Sequence, residues 1–448
     1  MGQERLVKVI TYGTYDMLHY GHIRLLERAR KLGNYLIVAV TSDDFDKARG
    51  KINVQQSLPE RISALQATGI ADEIIIEEYE GQKIDDIKRY DADIFAIGSD
   101  WTGKFDYLNE FCKVVYLDRT EGVSSSQIRS NDRKLRMGLV GDTSEILSKF
   151  ARECTFVNGI DVIGYFGRLQ DSQKKFENIN AYTDYKELLQ AVDAVYIAVN
   201  PDERKAYIEQ ALGCKKHILC DPPIAVRKSD CEGLFNMAKK NECILMEGNK
   251  TAYALAFERL LLLLKSGIIG DIISVESTST SLRNSFGGVD SHMQKWGSIT
   301  EWGPFAMLSV FMILGCNYKE KITQSRISRN GYDSFTKIEF VYDHAIASIK
   351  VGTEVKAEGE LIISGTKGYI YVPAPWWKMD YFEARFENPA DNKRYFYQLE
   401  GEGIRYMVSS FSRTITGDRN FSMIPEKVSI EICKVIEDCH NGVNMRYI

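Results

Sequence analysis

The sequence predicts an α/β protein: two Rossmann-like α/β units in tandem, followed by a strand-rich remainder. Three observations predict it. Short apolar runs alternate with amphipathic helical stretches from residue 6 to about 117, a pattern that gives a parallel sheet with helices on both faces. A polar stretch, Ser130-Asn-Asp-Arg-Lys134, then breaks the pattern, which restarts at Leu135. The chain of 448 residues is also too long for one core, so two or three domains are expected.

In the first unit, Leu6–Ile10 reads as a strand, His22–Leu32 as a helix and Tyr35–Thr41 as a strand. Pro59–Thr68 reads as a helix, Glu73–Ile76 as a strand, Ile84–Tyr90 as a helix, and Ile94–Gly98 and Val114–Leu117 as strands. Ligands of such sheets bind at the carboxyl ends of the strands. Three polar segments fall there: the turn Thr11–His22, Ser99-Asp100-Trp101, and Asp118-Arg119-Thr120. The first joins a strand to a helix N-terminus through Gly13, a junction whose free N–H groups and dipole attract phosphate. His19 and His22 lie three apart on one face of the first turn and can donate hydrogen bonds to a phosphoryl group. By spacing alone such a pair is more often a surface accident or a satisfied cap.

Three ordered blocks carry more. TYGTYDMLHYGHIRLLERA (11–29), GSDWTGKFDYL (98–108) and VVYLDRTEGVSSSQIR (114–129) closely resemble the glycerol-3-phosphate cytidylyltransferases of the HxGH nucleotidyltransferase superfamily, over residues 8–130. The resemblance implies transfer of CMP from CTP to glycerol 3-phosphate or a related polyol phosphate. Pyrophosphate is released, and Mg²⁺ is held by the substrate phosphates rather than by protein ligands. His19, His22, Lys51 and Arg119 are then the catalytic candidates. The nucleotide would be met by Thr11, Tyr12, Gly13, Thr14, Gly21, Asp100, Arg119, Thr120, Ser124 and Ser125, and the acceptor by Asp16, Arg49, Lys51 and Arg61. Nucleotidyl transfer needs in-line positioning and charge stabilisation and little else, and these residue types supply both. Trp101 reads as packing beside the site. One departure thins the positive charge: Gly69 aligns where the family commonly has a helical arginine after Arg61.

The second unit reads Leu135–Val140, Ile160–Tyr165, Ala194–Val199 and His217–Cys220 as strands, with helices Tyr185–Ala191 and Arg204–Leu212. The stretches 181–225, 260–277 and 359–372 resemble the glucose-fructose oxidoreductase / inositol dehydrogenase family, over residues 135–442. That implies a dinucleotide-binding domain and then an α+β domain with a large, open, mostly antiparallel sheet, whose flat face usually makes a dimer. The expected domains are 1–131, 132–246 and 247–448. Strands Ile272–Thr278, Thr336–Tyr342 and Ala345–Val351 fit the third.

This region departs from that family where its chemistry lies. The Gly-rich turn reads Gly141-Asp-Thr-Ser-Glu-Ile146, with Thr143 and Ile146 where close backbone approach and helix packing are needed. The expected Glu-Lys-Pro reads Asp221-Pro222-Pro223. The expected acid/base position is Phe305, which transfers no proton. If NADP(H) is held at all, Gly141, Arg168 and Asn200 are its candidate contacts. Lys250, His292 and Lys295 are candidate substitutes for the lost groups, each more readily read as an ordinary polar residue. Pro375-Trp376-Trp377 reads as packing or interface. Two readings stay open: a redox-inactive module kept for structure, assembly or sensing, or a reductase of a keto-sugar or keto-triose phosphate that works before cytidylyl transfer.

Composition bounds the rest. The net charge of −5 gives no basic surface for nucleic acid. Nine scattered cysteines without CxxC or metal spacing read as reduced thiols. No secretory h-region or membrane-length apolar run is present. The expectation is a cytoplasmic homo-oligomer, with CTP and a polyol phosphate as partners and no nucleic acid or membrane. Its CDP-polyol would feed a surface polysaccharide.

Overall fold

The structure, a computed structural model, describes residues 5–48, 54–79, 81–118, 134–142, 144–157, 159–167, 176, 179–282, 296–329, 331–397, 399–416 and 420–448. The chain divides into two compact units, Met1–Arg133 and Lys134–Ile448.

In the first unit, β1 (Lys8–Gly13), β2 (Tyr35–Thr41), β3 (Glu73–Glu77), β4 (Ile94–Gly98) and β5 (Lys113–Leu117) form a parallel sheet in the order β3-β2-β1-β4-β5. The period-2 alternation of β1 splits the core. Val9 packs on one face with Leu26, Ala29 and Leu65 of the helices Tyr20–Arg30 and Leu58–Thr68. Ile10 and Tyr12 pack on the other with Ile87 of the helix Gln82–Tyr90. The order reverses between β1 and β4, so the crevice outside their carboxyl ends is the topological switch point.

Two features differ from the sequence expectation. The first helix begins at Tyr20, before His22, because His19 caps it. A short helix, Asp43–Ala48, was not foreseen: three acids crowd its first turn, and no apolar stripe announces it. Gly69, just beyond the helix expected over Pro59–Thr68, is the left-handed C-cap of Leu58–Thr68 at φ 65°. A glycine there suits helix termination.

In the second unit, β6 (Leu135–Gly141), β7 (Ile160–Phe166), β8 (Asn180–Tyr182), β9 (Ala194–Ala198), β10 (His217–Cys220) and β11 (Leu245–Glu247) form a six-stranded parallel sheet, in the order β11-β10-β9-β6-β7-β8. Its switch point lies between β6 and β9.

The same unit holds a nine-stranded sheet of β12 (Ile272–Thr280), β13 (Glu320–Ile327), β14 (Asp333–Val341), β15 (Ile346–Gly352), β16 (Leu361–Gly365), β17 (Gly368–Val372), β18 (Tyr381–Phe386), β19 (Lys393–Phe396) and β20 (Met445–Tyr447). It is antiparallel except at β12/β15 and β13/β20. The apolar helix Gly303–Leu314 packs on β12 and β15.

Candidate functional site

The turn after β1 leaves ordinary backbone space. Tyr15 and Met17 are left-handed, at φ 53° and 49°, a conformation that costs a non-glycine residue about 1 kcal/mol or more. That backbone aims the Tyr15 ring edge-on at His22, with centroids 5.6 Å apart, and His22 stacks on His19 at 3.9 Å. A Cβ on Gly13 would stand 3.0 Å from the Tyr15 ring, so only glycine leaves the ring its place. His19 is the N-cap of the helix Tyr20–Arg30, and its Nδ1 accepts the Gly21 N–H at 3.1 Å. An accepting Nδ1 carries no proton, so the proton of the neutral ring is on Nε2. The result is an imidazole N–H donor beside the N–H groups of a helix start.

The turn is held by buried polar bonds. Arg61, fully buried, donates to the carbonyls of Thr14 (2.6 Å), Thr41 (2.9 Å) and Gln56 (3.1 Å), and pairs with Asp43 and with the buried Asp46. Thr14 Oγ1 donates to Asp46 at 2.9 Å. Asp16 Oδ1 accepts the N–H groups of Gln55 and Gln56 at 3.0 Å, and Gln56 Oε1 accepts that of Met17 at 2.8 Å.

The switch point thus gathers His19, His22, Gly13, Thr14 and Gly21. Three expected site residues sit differently. Arg61, an acceptor contact by resemblance, has its guanidinium wholly taken up inside the protein and bears on the site through Thr14. The Tyr12 side chain faces the opposite layer, where burial and Asp86, which its hydroxyl bonds at 2.9 Å, push the phenol up. Only its backbone lies at the crevice. Thr11 is likewise fully buried in β1. Asp16 orients the turn. Asp100 is exposed in the 3-10 turn that follows β4, and Trp101 packs on Phe105 beneath a Lys104 ammonium 4.6 Å above its ring. Arg49, Lys51, Arg119, Thr120, Ser124 and Ser125 lie outside the described residues, as do Arg168, His292 and Lys295.

The second unit has a cavity of about 700 Å³ beside its own switch point. Asp142, Ile146, Gly167 and Asn200 line it, with Pro222 and Phe305 at the two altered positions. Gly141 is packed against its neighbours: a Cβ on Gly167 would lie 1.8 Å from the Gly141 carbonyl oxygen. Asp221 also lines the cavity. Enclosure raises its carboxyl, against the nearby Arg204, and Tyr196 donates to it at 3.1 Å.

Lys250, a candidate from the sequence, belongs to a charged cluster that the sequence does not announce. Glu402 accepts from Lys149 at 2.5 Å, Lys250 at 2.8 Å and Lys378 at 2.9 Å. Burial pushes the Glu402 carboxyl up, but the three lysine hydrogen bonds win and hold it well below the usual range. Burial lowers the Lys250 ammonium against the pull of Glu402. Trp377, read as packing, also lines this cavity, whereas Trp376 is fully buried. These groups come from three stretches of the chain between residues 149 and 402 and share no motif.

Comparison with known proteins places both units. The profile of the cytidylyltransferase-like family matches residues 10–131, and that of an oxidoreductase family with an NAD-binding Rossmann fold matches residues 135–249. The glycerol-3-phosphate cytidylyltransferase of Bacillus spizizenii is 48% identical over 124 residues, which are 28% of this chain and 95% of the relative. That of Staphylococcus aureus is 48% identical over 122 residues, 27% of this chain and 92% of the relative. A 3-ketoreductase from Actinomadura kijaniata, solved with NADP and TDP-benzene, superposes with a TM-score of 0.62 at 16% identity. The match covers 70% of this chain and 99% of the reductase, and shares the fold alone. Through its first unit the chain belongs to the glycerol-3-phosphate cytidylyltransferase family, and the residues that follow, 135–249, match the model of an oxidoreductase family with an NAD-binding Rossmann fold.

Proposed function

We propose that the first unit transfers CMP from CTP to glycerol 3-phosphate or a close polyol phosphate, giving a CDP-polyol and pyrophosphate. The observation that carries this reading is the His19 tautomer: Nδ1 is occupied by the Gly21 N–H, so Nε2 is a fixed donor at a helix start. An acceptor phosphate oxygen attacks the α-phosphorus as the bond to the oxygen bridging to the β-phosphorus breaks, and pyrophosphate leaves with that bonding pair. Charge grows on the equatorial and bridging oxygens, where a preorganised donor acts most strongly. His19 donates there, and His22, stacked on it and buttressed by Tyr15, is the second donor. Arg49, Lys51, Asp100, Arg119, Thr120, Ser124 and Ser125 complete the proposed contacts.

Mg²⁺ belongs to this proposal as the counter-ion of the triphosphate. It is a hard cation that prefers oxygen ligands. The turn offers imidazoles and N–H groups, and no three His, Cys, Asp or Glu side chains gather as a metal site among the described residues. The nine free cysteines support a reducing compartment, the cytoplasm. No described helix is long and apolar enough to cross a membrane. The test is a panel of polyol phosphates with CTP and Mg²⁺, scored by pyrophosphate release. Glycerol 3-phosphate or a near relative should turn over, and silence across the panel would refute the reading.

We infer further that the second unit is not a nicotinamide-dependent reductase. A dinucleotide diphosphate needs close backbone approach at the first strand–helix turn. Here a carboxylate, Asp142, and a branched side chain, Ile146, line the cavity at that turn, so these residues do not fit the group. Pro222 and Phe305 carry no transferable proton. The second reading, a reductase with a relocated donor, is favoured by Lys250, which enters the cavity after β11, the strand beside β10. NADPH titration of the whole chain separates the two.

A further inference from the structure

We propose that the cavity of the second unit binds a small phosphate monoester of a polyol or sugar, captured by Lys149, Lys250 and Lys378 in exchange for Glu402, a built-in counter-ion. Three ammonium groups converge from three separate segments: the helix Ser144–Cys154, the turn after β11, and the turn Trp376–Lys378 before β18. They meet on the Glu402 carboxylate, so this cluster holds three positive charges and one negative charge, with Asp142, Asp221 and Glu301 elsewhere in the cavity lining. A phosphoryl group carries roughly −1.5 to −2 charge and three acceptor oxygens, and so matches three lysines better than Glu402 does.

The segment that carries Glu402 suits displacement. Gly401, Glu402 and Gly403 are successively left-handed, at φ 54°, 54° and 87°. Two glycines flank the one residue that resists that conformation, which gives the carboxylate a route out.

The walls suit an organic portion bearing hydroxyls. Trp302 and Trp377 stand 5.1 Å apart, both at the cavity. Trp302 is 7% exposed, and its indole N–H finds no acceptor among the described residues. Asn200 adds an amide to the lining. This site is separate from CMP transfer and does not depend on it.

The experiment uses the full chain in a Trp101→Phe background. The remaining tryptophans, 296, 302, 376 and 377, all belong to the second unit. Their emission is followed on titration with inorganic phosphate, with glycerol 3-phosphate and, separately, with NADPH. Both phosphates should change the emission. Glu402→Gln should tighten phosphate binding at least tenfold and make phosphate raise its Tm more than that of the parent. The Lys250→Met/Lys378→Met pair should abolish the response. If that pair fails to fold, Lys149→Met should weaken binding at least tenfold. Equal affinity with and without Glu402, or a response that survives loss of the lysines, overturns the proposal. NADPH binding that is tight and indifferent to Glu402→Gln overturns it in favour of a dinucleotide site. Failure of CMP transfer changes none of these readouts.

Discussion

His19 Nδ1 accepts the Gly21 N–H at 3.1 Å, so one ring both starts a helix and presents its other nitrogen as a donor. The two roles separate by mutation. His19→Ala should lose both: about 1 kcal/mol of stability from the missing cap and a factor of about 10²–10³ in turnover from the missing donor. His19→Asn restores the cap through its Oδ1 but not the donor, so its Tm should return while its rate stays low. Thermal melts beside pyrophosphate-release kinetics check this. Full activity in His19→Asn would mean that the ring serves only the helix.

The chain of contacts Gly13–Tyr15–His22 makes a second prediction. Tyr15→Phe keeps the ring edge against His22 and should stay near wild-type activity. Gly13→Ala puts a methyl group 3.0 Å from that ring. It should lower kcat roughly tenfold, because small displacements of a catalytic group are expensive. Equal kcat in Gly13→Ala and wild type would show that the ring does not set His22.

Arg61 gives a third. If it positions the turn from inside, Arg61→Met removes the cation paired with the buried Asp46 and should destabilise the first unit by about 3–5 kcal/mol. Arg61→Lys should be nearly as damaging, since an ammonium cannot reproduce the guanidinium fork. Were Arg61 an acceptor ligand, KM for the polyol phosphate would rise at unchanged Tm.

The contrast between Arg61 and His19 shows what was legible in the sequence. Alternating apolar runs and local caps are encoded within about ten residues, so the strands Tyr35–Thr41, Ile94–Gly98 and His217–Cys220 and the helix Tyr185–Ala191 appear at their expected ends. The histidine turn was legible because strand, turn and helix are contiguous. An arginine in a polar neighbourhood reads as a ligand until tertiary structure buries it, as with Arg61. The Tyr12 side chain turns to the opposite layer while its backbone stays at the crevice, since strand alternation alone does not say which layer holds the ligand. The cluster around Glu402 was illegible because Lys149, Lys250, Lys378 and Glu402 meet only in the fold.

A fourth prediction concerns pH. Glu247, 3% exposed, is pushed up to about 7 by burial, against the hydroxyl of Ser429, which donates to it. Its folded pKa lies above the unfolded value of about 4.3. Below that value both states are protonated and there is no penalty. As pH rises towards 7 the unfolded chain ionises first, and stability falls by up to about 3 kcal/mol before levelling off. Glu247→Gln should therefore raise the Tm of the second unit at pH 8 and leave it nearly unchanged at pH 4.5. A difference independent of pH would contradict this account.

The most direct test of the central claim is product identification. Wild type and His22→Ala are incubated with CTP, glycerol 3-phosphate and Mg²⁺, and the products are read by ³¹P NMR. The account predicts a diphosphate diester and an equivalent of pyrophosphate from wild type, and turnover reduced at least a hundredfold in His22→Ala. No diester from wild type, or equal yields from the two proteins, would contradict it.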